Sequence, residues 1–155
     1  MNSTKPKILC VDFEPMFLEP LDRLLLANGY EVRKARNGEE ALKTVNEEKI
    51  DLVLLDVRMP ALEGVEVCRR IKADENSMHI PVVLITGFMA QEDRVKGIEA
   101  GAEDFISKPY DPVELLARIK MLLKAKHIHE RRIGELLIDM NFINDEQLQE
   151  ALRIA

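Results

Sequence analysis

Four short apolar runs punctuate the chain: Lys7 to Val11, Asp51 to Leu55, Ile80 to Thr86 and, more weakly, Asp104 to Ser107. Runs so short and so apolar predict strands buried on both faces, as a parallel sheet covered by helices requires. Tyr30 to Ala35 is a further candidate, because Tyr30 and Val32 alternate with the charged Glu31 and Arg33 as in an edge strand. Helical patterns fill the gaps. Phe17, Leu18, Leu21, Leu24 and Leu25 recur at helical spacing and stop at Asn28-Gly29. Glu40 to Glu48, Val65 to Ala73, Gln91 to Ala100 and Pro112 to Lys124 repeat the pattern, the third of these ending at Gly101. Strand alternates with helix throughout, which predicts an α/β fold: a doubly wound, five-stranded parallel sheet with right-handed crossovers.

After Lys124 the character changes. Lys126, His127, His129, Glu130, Arg131 and Arg132 read as a charged connector over 125–131, followed by two short helical patterns, Ile133 to Met140 and Asp145 to Ile154, with a turn at Asn141-Phe142-Ile143-Asn144. The organisation expected is one domain over 5–124 and a helical hairpin over 132–155, the start of a truncated second module.

Composition narrows the class. The 22 basic and 28 acidic side chains of the 155 residues leave a formal charge of −6, which disfavours direct binding to nucleic acid or an anionic membrane. A hydrophobic content of 46% supports a proper core and excludes disorder as the main state. Cys10 and Cys68 lie among apolar residues, which suits buried thiols in a reducing compartment. No apolar stretch is long enough for a signal-peptide core or a bilayer span, so a soluble cytoplasmic protein is expected.

Ligand chemistry in such a sheet gathers at the carboxyl ends of the strands. Here those ends carry Asp12, Asp56, Thr86 and Lys108. Two carboxylates side by side repel each other unless a cation relieves them, and a hard ion such as Mg²⁺ needs few protein oxygens because it keeps several waters. Lys108 offers a compact positive charge and Thr86 a hydroxyl donor. These are the positioning and electrostatic parts that phosphoryl transfer uses.

Read together, Ile8 to Asp12, Leu54 to Pro60, Pro81 to Gly87 and Ser107 to Tyr110 resemble the receiver domain of bacterial two-component response regulators, from about Lys5 to Lys124. The resemblance implies a flavodoxin-like strand order 2-1-3-4-5 and a histidine kinase as phosphate donor. It implies that Asp56 accepts the phosphoryl group, that Thr86 and Lys108 meet it, and that Mg²⁺ is held by Asp12, Asp56 and the backbone carbonyl of Arg58. It also implies a switch in which Thr86 and the aromatic Phe105 move together. Phe13 departs from the pattern, standing where receivers carry a second acidic residue that ligates Mg²⁺. Mg²⁺ is therefore expected to be weakened or lost, with Glu14 as a substitute ligand through its longer stem. The alternative reading is a phosphate-independent pseudo-receiver serving as a protein-interaction module. A phosphatase of the haloacid type is disfavoured, because Arg58 stands where its second aspartate would be, and no nucleotide loop supports an NTPase.

Blander roles compete at each position. Asp12 and Asp56 could cap helices, Phe105 could fill the core, and Phe13 is expected to pack against the first helix. His127 and His129 are two apart and point different ways on a helix, which favours a solvated stretch over a metal or phosphotransfer site. The fifth strand and last helix resemble regulators that form homodimers through the fourth helix, fifth strand and fifth helix, with Asp104, Arg118 and Lys96 as candidate cross-chain charges. In the tail, Arg132 to Ile138 with Phe142-Ile143, Leu148 and Ala151-Leu152 weakly resemble one repeat of the N-terminal domain of type II secretion and type IV pilus ATPases. That likeness marks Arg132 and Gly134 as candidate contacts for a cyclic dinucleotide, although glycine is usual at Asn141 and glutamine at Ala155. A plain two-helix hairpin is the more economical reading.

Overall fold

A computed structural model describes residues 5–87, 91–140 and 144–154. Five strands, β1 (Lys7–Val11), β2 (Glu31–Ala35), β3 (Leu52–Asp56), β4 (Val82–Thr86) and β5 (Asp104–Ser107), form one parallel sheet in the order β2-β1-β3-β4-β5. Between them run α1 (Pro15–Ala27), α2 (Gly38–Glu47), α3 (Gly64–Ala73) and α4 (Gln91–Ala100), with α5 (Pro112–Asp139) and α6 (Asp145–Ile154) following.

The two-residue period of the strands divides the core. Leu9, Val11, Val53, Leu55, Val82 and Leu84 face α2, α3 and α4, where Ala41, Val45, Val67 and Ile71 meet them. Ile8, Cys10, Leu54, Val83, Ile85 and Ile106 face α1 and α5, against Leu18, Leu21, Leu25, Leu115 and Ile119. Burial on both faces is why β3 and β4 read as continuous apolar runs rather than alternating ones. Pro15 and Pro112 sit in the first turns of α1 and α5, where the missing N–H costs nothing, and the Asp111 side chain accepts from the Val113 N–H.

The tail differs from expectation. No connector separates two helices: α5 runs 28 residues without a break through 125–131 and ends at Asp139. Charge alone does not stop a helix. The segment holds no Gly or Pro, and Lys126 pairs with Glu130 one turn on at 3.1 Å and reaches Asp51 beside β3 at 3.9 Å. Then α6 folds back so that Leu148 covers Gly134, where any side chain would collide with it. The turn residues Asn141 to Ile143, and Ala155, lie outside the described residues. Among the described residues no helix is long and apolar enough to cross a membrane.

Candidate functional site

Parallel pairing brings the carboxyl ends of β1, β3, β4 and β5 to one edge, and their terminal side chains follow. Asp12 and Asp56 are buried there, 5% and 7% exposed. The Lys108 Nζ donates to Asp12 Oδ2 at 2.5 Å and lies 3.8 Å from Asp56 Oδ1. Register places Thr86 one residue beyond the Asp56–Ile85 pair, buried at the end of β4, and the Lys108 N–H donates to its carbonyl at 2.8 Å. The four residues singled out in the sequence thus meet at one place.

Burial pushes the Asp56 carboxyl up to about 6; the Asp12 charge adds to the rise, while Lys108 and the backbone N–H of Arg58 oppose it. The loop that carries Arg58 can close on Asp56 because Gly64 starts α3. Its N–H donates to the Val57 carbonyl at 2.9 Å, and a Cβ there would overlap the carbonyl oxygen of Asp56.

Two carboxylates make an oxygen-only donor set, and the mutual repulsion of Asp12 and Asp56 is what a divalent cation relieves. The set fits a hydrated Mg²⁺ and is short of protein charge. Glu14 caps the start of α1 through its backbone and is exposed. Among the described residues no three acidic, histidine or cysteine side chains are grouped to hold a metal. Asp12 is itself committed, its Oδ1 accepting from the Glu14 N–H at 3.0 Å and its Oδ2 from Lys108.

Phe13 stands outside the hydrophobic cluster that α1 joins. It is 48% exposed and lines a groove of about 420 Å³ with Arg36, Asn37, Pro60 and Leu62, on the side of α2. Phe105 is half-buried and packs on the α4 side against Gly97 and Leu84, with the Arg94 guanidinium 6.0 Å from its ring centre.

Arg118 and Asp104 are not left waiting for a second chain. Arg118 Nη1 donates to Asp104 Oδ1 at 2.7 Å, and its Nη2 to Glu114 Oε1 at 2.9 Å, because α5 lies directly over β5. Lys96 is exposed on α4. Arg132, His127 and His129 are exposed on α5, and Gly134 is closed off by Leu148 rather than open to a ligand.

Two contributors escaped the sequence reading as parts of the site. Phe17 on α1 places its ring 3.9 Å from Lys108 Nζ, a cation–π contact beside the ion pair. Asp93 in the first turn of α4 accepts from Arg58 Nη2 at 2.8 Å. Both contacts depend on the helices' lateral positions, which no spacing encodes.

Comparison with known proteins agrees with this geometry. The family model described as the response regulator receiver domain matches residues 8–120. The response regulator PleD of Caulobacter vibrioides is 43% identical over 120 residues, covering 77% of this chain and 26% of that protein. The chain spans about half the length of other curated relatives that it matches. A CheY-like receiver from Methanospirillum hungatei JF-1 superposes with a TM-score of 0.78 at 29% identity, over 81% of this chain and 99% of that one. The receiver of a sensor histidine kinase from Pseudomonas aeruginosa PAO1, solved with a magnesium ion coordinated in its active-site cleft, gives a TM-score of 0.73 at 28% identity, over 77% and 99%. With the matched segment taking in all five strands, short of Lys7 alone, and every strand end of the site, the chain belongs to the response regulator receiver domain family.

Proposed function

We propose that Asp56 accepts a phosphoryl group from the phosphohistidine of a histidine kinase and that the modification switches a protein-interaction face. One observation carries the reading: a buried carboxylate at the carboxyl edge of the sheet, with an ammonium within 4 Å that it shares with a second buried carboxylate. An Asp56 oxygen attacks phosphorus, a P–O bond forms, and the P–N bond breaks with its electron pair leaving on the imidazole. The product is an acyl phosphate. Lys108, steadied by Phe17, pairs with the transferred oxygens, and the Thr86 hydroxyl donates to them from β4. Mg²⁺, when bound, would neutralise charge on the entering phosphoryl group, and Asp12, Asp56 and the Arg58 carbonyl are the residues to hold it, with Glu14 the nearest replacement for the carboxylate lost at Phe13.

On this reading the chain takes part only in its own phosphorylation and dephosphorylation, works in the cytoplasm and binds no DNA itself. Residues 5–124 are the receiver, and the far half of α5 with α6 is a helical extension through which its state is passed on.

A second reading has one observation in its favour. With Phe13 at the ligand position, the Asp12 charge is met by Lys108 from within the chain, as a phosphate-independent interaction module would have it. Acetyl phosphate with Mg²⁺ separates the two. Mass spectrometry of the intact chain should show a gain of about 80 Da that disappears in Asp56→Asn, whose amide is a poor nucleophile. No gain in the wild type supports the second reading, and labelling of Asp56→Asn moves the acceptor elsewhere.

A further inference from the structure

Arg58 joins two parts of the molecule. Its backbone N–H helps to hold down the pKa of the Asp56 carboxyl, while its guanidinium reaches across to Asp93 in the first turn of α4. The two members of that ion pair are unequal. The Asp93 side chain is 18% exposed and fixed on a helix, where the positive end of the helix dipole favours a carboxylate with or without a partner. The Arg58 side chain is 54% exposed on a loop, so it is the member that no helix holds in place.

A phosphoryl group on Asp56 changes what competes for it. The site then holds the Asp12 carboxylate and a phosphoryl carrying about two negative charges, against Lys108, already bonded to Asp12 at 2.5 Å. The new charge arises beside the Arg58 amide, and a guanidinium fork matches phosphoryl oxygens better than it matches one carboxylate oxygen.

We propose that Arg58 is a phosphoryl-binding residue that exchanges partners: its guanidinium is held by Asp93 while Asp56 is unmodified, and turns to the phosphoryl oxygens once Asp56 carries them. This rests on Asp56 being the acceptor. Phosphorylation and the tie between the site loop and α4 are then mutually exclusive, and α4 is released as the group arrives. Asp93 acts as a built-in competitor for the phosphoryl site.

The experiment is calorimetric titration of the full chain with beryllofluoride at fixed Mg²⁺, together with ¹⁹F NMR of the bound ligand and the unfolding midpoint of each variant. Asp93→Asn should bind about two- to fivefold more tightly, in line with the strength of an exposed ion pair. Arg58→Gln should bind more weakly and shift the bound ¹⁹F resonances. The double variant should behave as Arg58→Gln alone, since Asp93 acts only through the guanidinium. Unchanged affinity in Asp93→Asn, unmoved ¹⁹F resonances in Arg58→Gln, or additive effects in the double variant would each overturn the exchange while leaving Asp56 as acceptor. A wild type that binds no beryllofluoride overturns the acceptor reading and this one with it.

Discussion

At Phe13 the loop after β1 presents a half-exposed ring beside a groove lined by Arg36 and Leu62, at the position where a ligand charge is expected. Replacing the ring costs the fold little, because it is not in the core. Phe13→Asp should therefore tighten Mg²⁺ by about 1–3 kcal/mol, the worth of a charged ligand in a partly buried site, and Phe13→Ala should not. Calorimetric titration with Mg²⁺ checks both; equal affinities in all three proteins would show that water or Glu14 already does the work. At this scale the sequence is legible where chemistry sits at strand ends. Asp12, Asp56, Thr86 and Lys108 follow from the end of each apolar run. Phe17 and Asp93 do not, since their contacts arise from how α1 and α4 lean on the sheet.

Among the elements, the strands and the helices up to α4 are legible because each is bounded by a change of period or by a stop signal such as Asn28-Gly29. The element that departs from its pattern is α5, where polarity stands in for a break. His129, Glu130, Arg131 and Arg132 are acceptable helix residues, and the ladder simply continues through them. The hairpin that follows depends on Gly134, over which Leu148, 4% exposed, is the buried anchor of α6. Gly134→Val should separate α6 from α5, since a branched side chain there has no room. Amide exchange should then lose protection across α6, with the receiver's strands unchanged. Retained protection in α6 would mean that Leu148 is not what holds it.

For the whole molecule the question is how copies meet. The Asp104–Arg118 pair is closed within one chain and Arg118 is further held by Glu114, so a dimer across α4, β5 and α5 must open or share these contacts. Exposed ion pairs contribute about 0–1 kcal/mol, which makes such a dimer weak and salt-sensitive without the activating group. Sedimentation velocity should show a monomer that moves toward dimer with beryllofluoride and Mg²⁺, and Arg118→Glu, which sets a third negative charge beside Asp104 and Glu114, should remove the shift. An unchanged boundary once ligand binding is confirmed would leave the helical tail as the output.

The unbroken course of α5 gives the molecule a lever. At 1.5 Å per residue the helix is about 40 Å long. Leu115 and Ile119 seat one end under the sheet, and Gly134, far along the shaft, bears α6. A rod so anchored does not dissipate a small rotation at its fulcrum; a tilt of about 10° at Leu115 sweeps the far tip through about 6 Å, roughly one helical pitch. Lys126, braced against Asp51 midway, sets how freely that arm can swing.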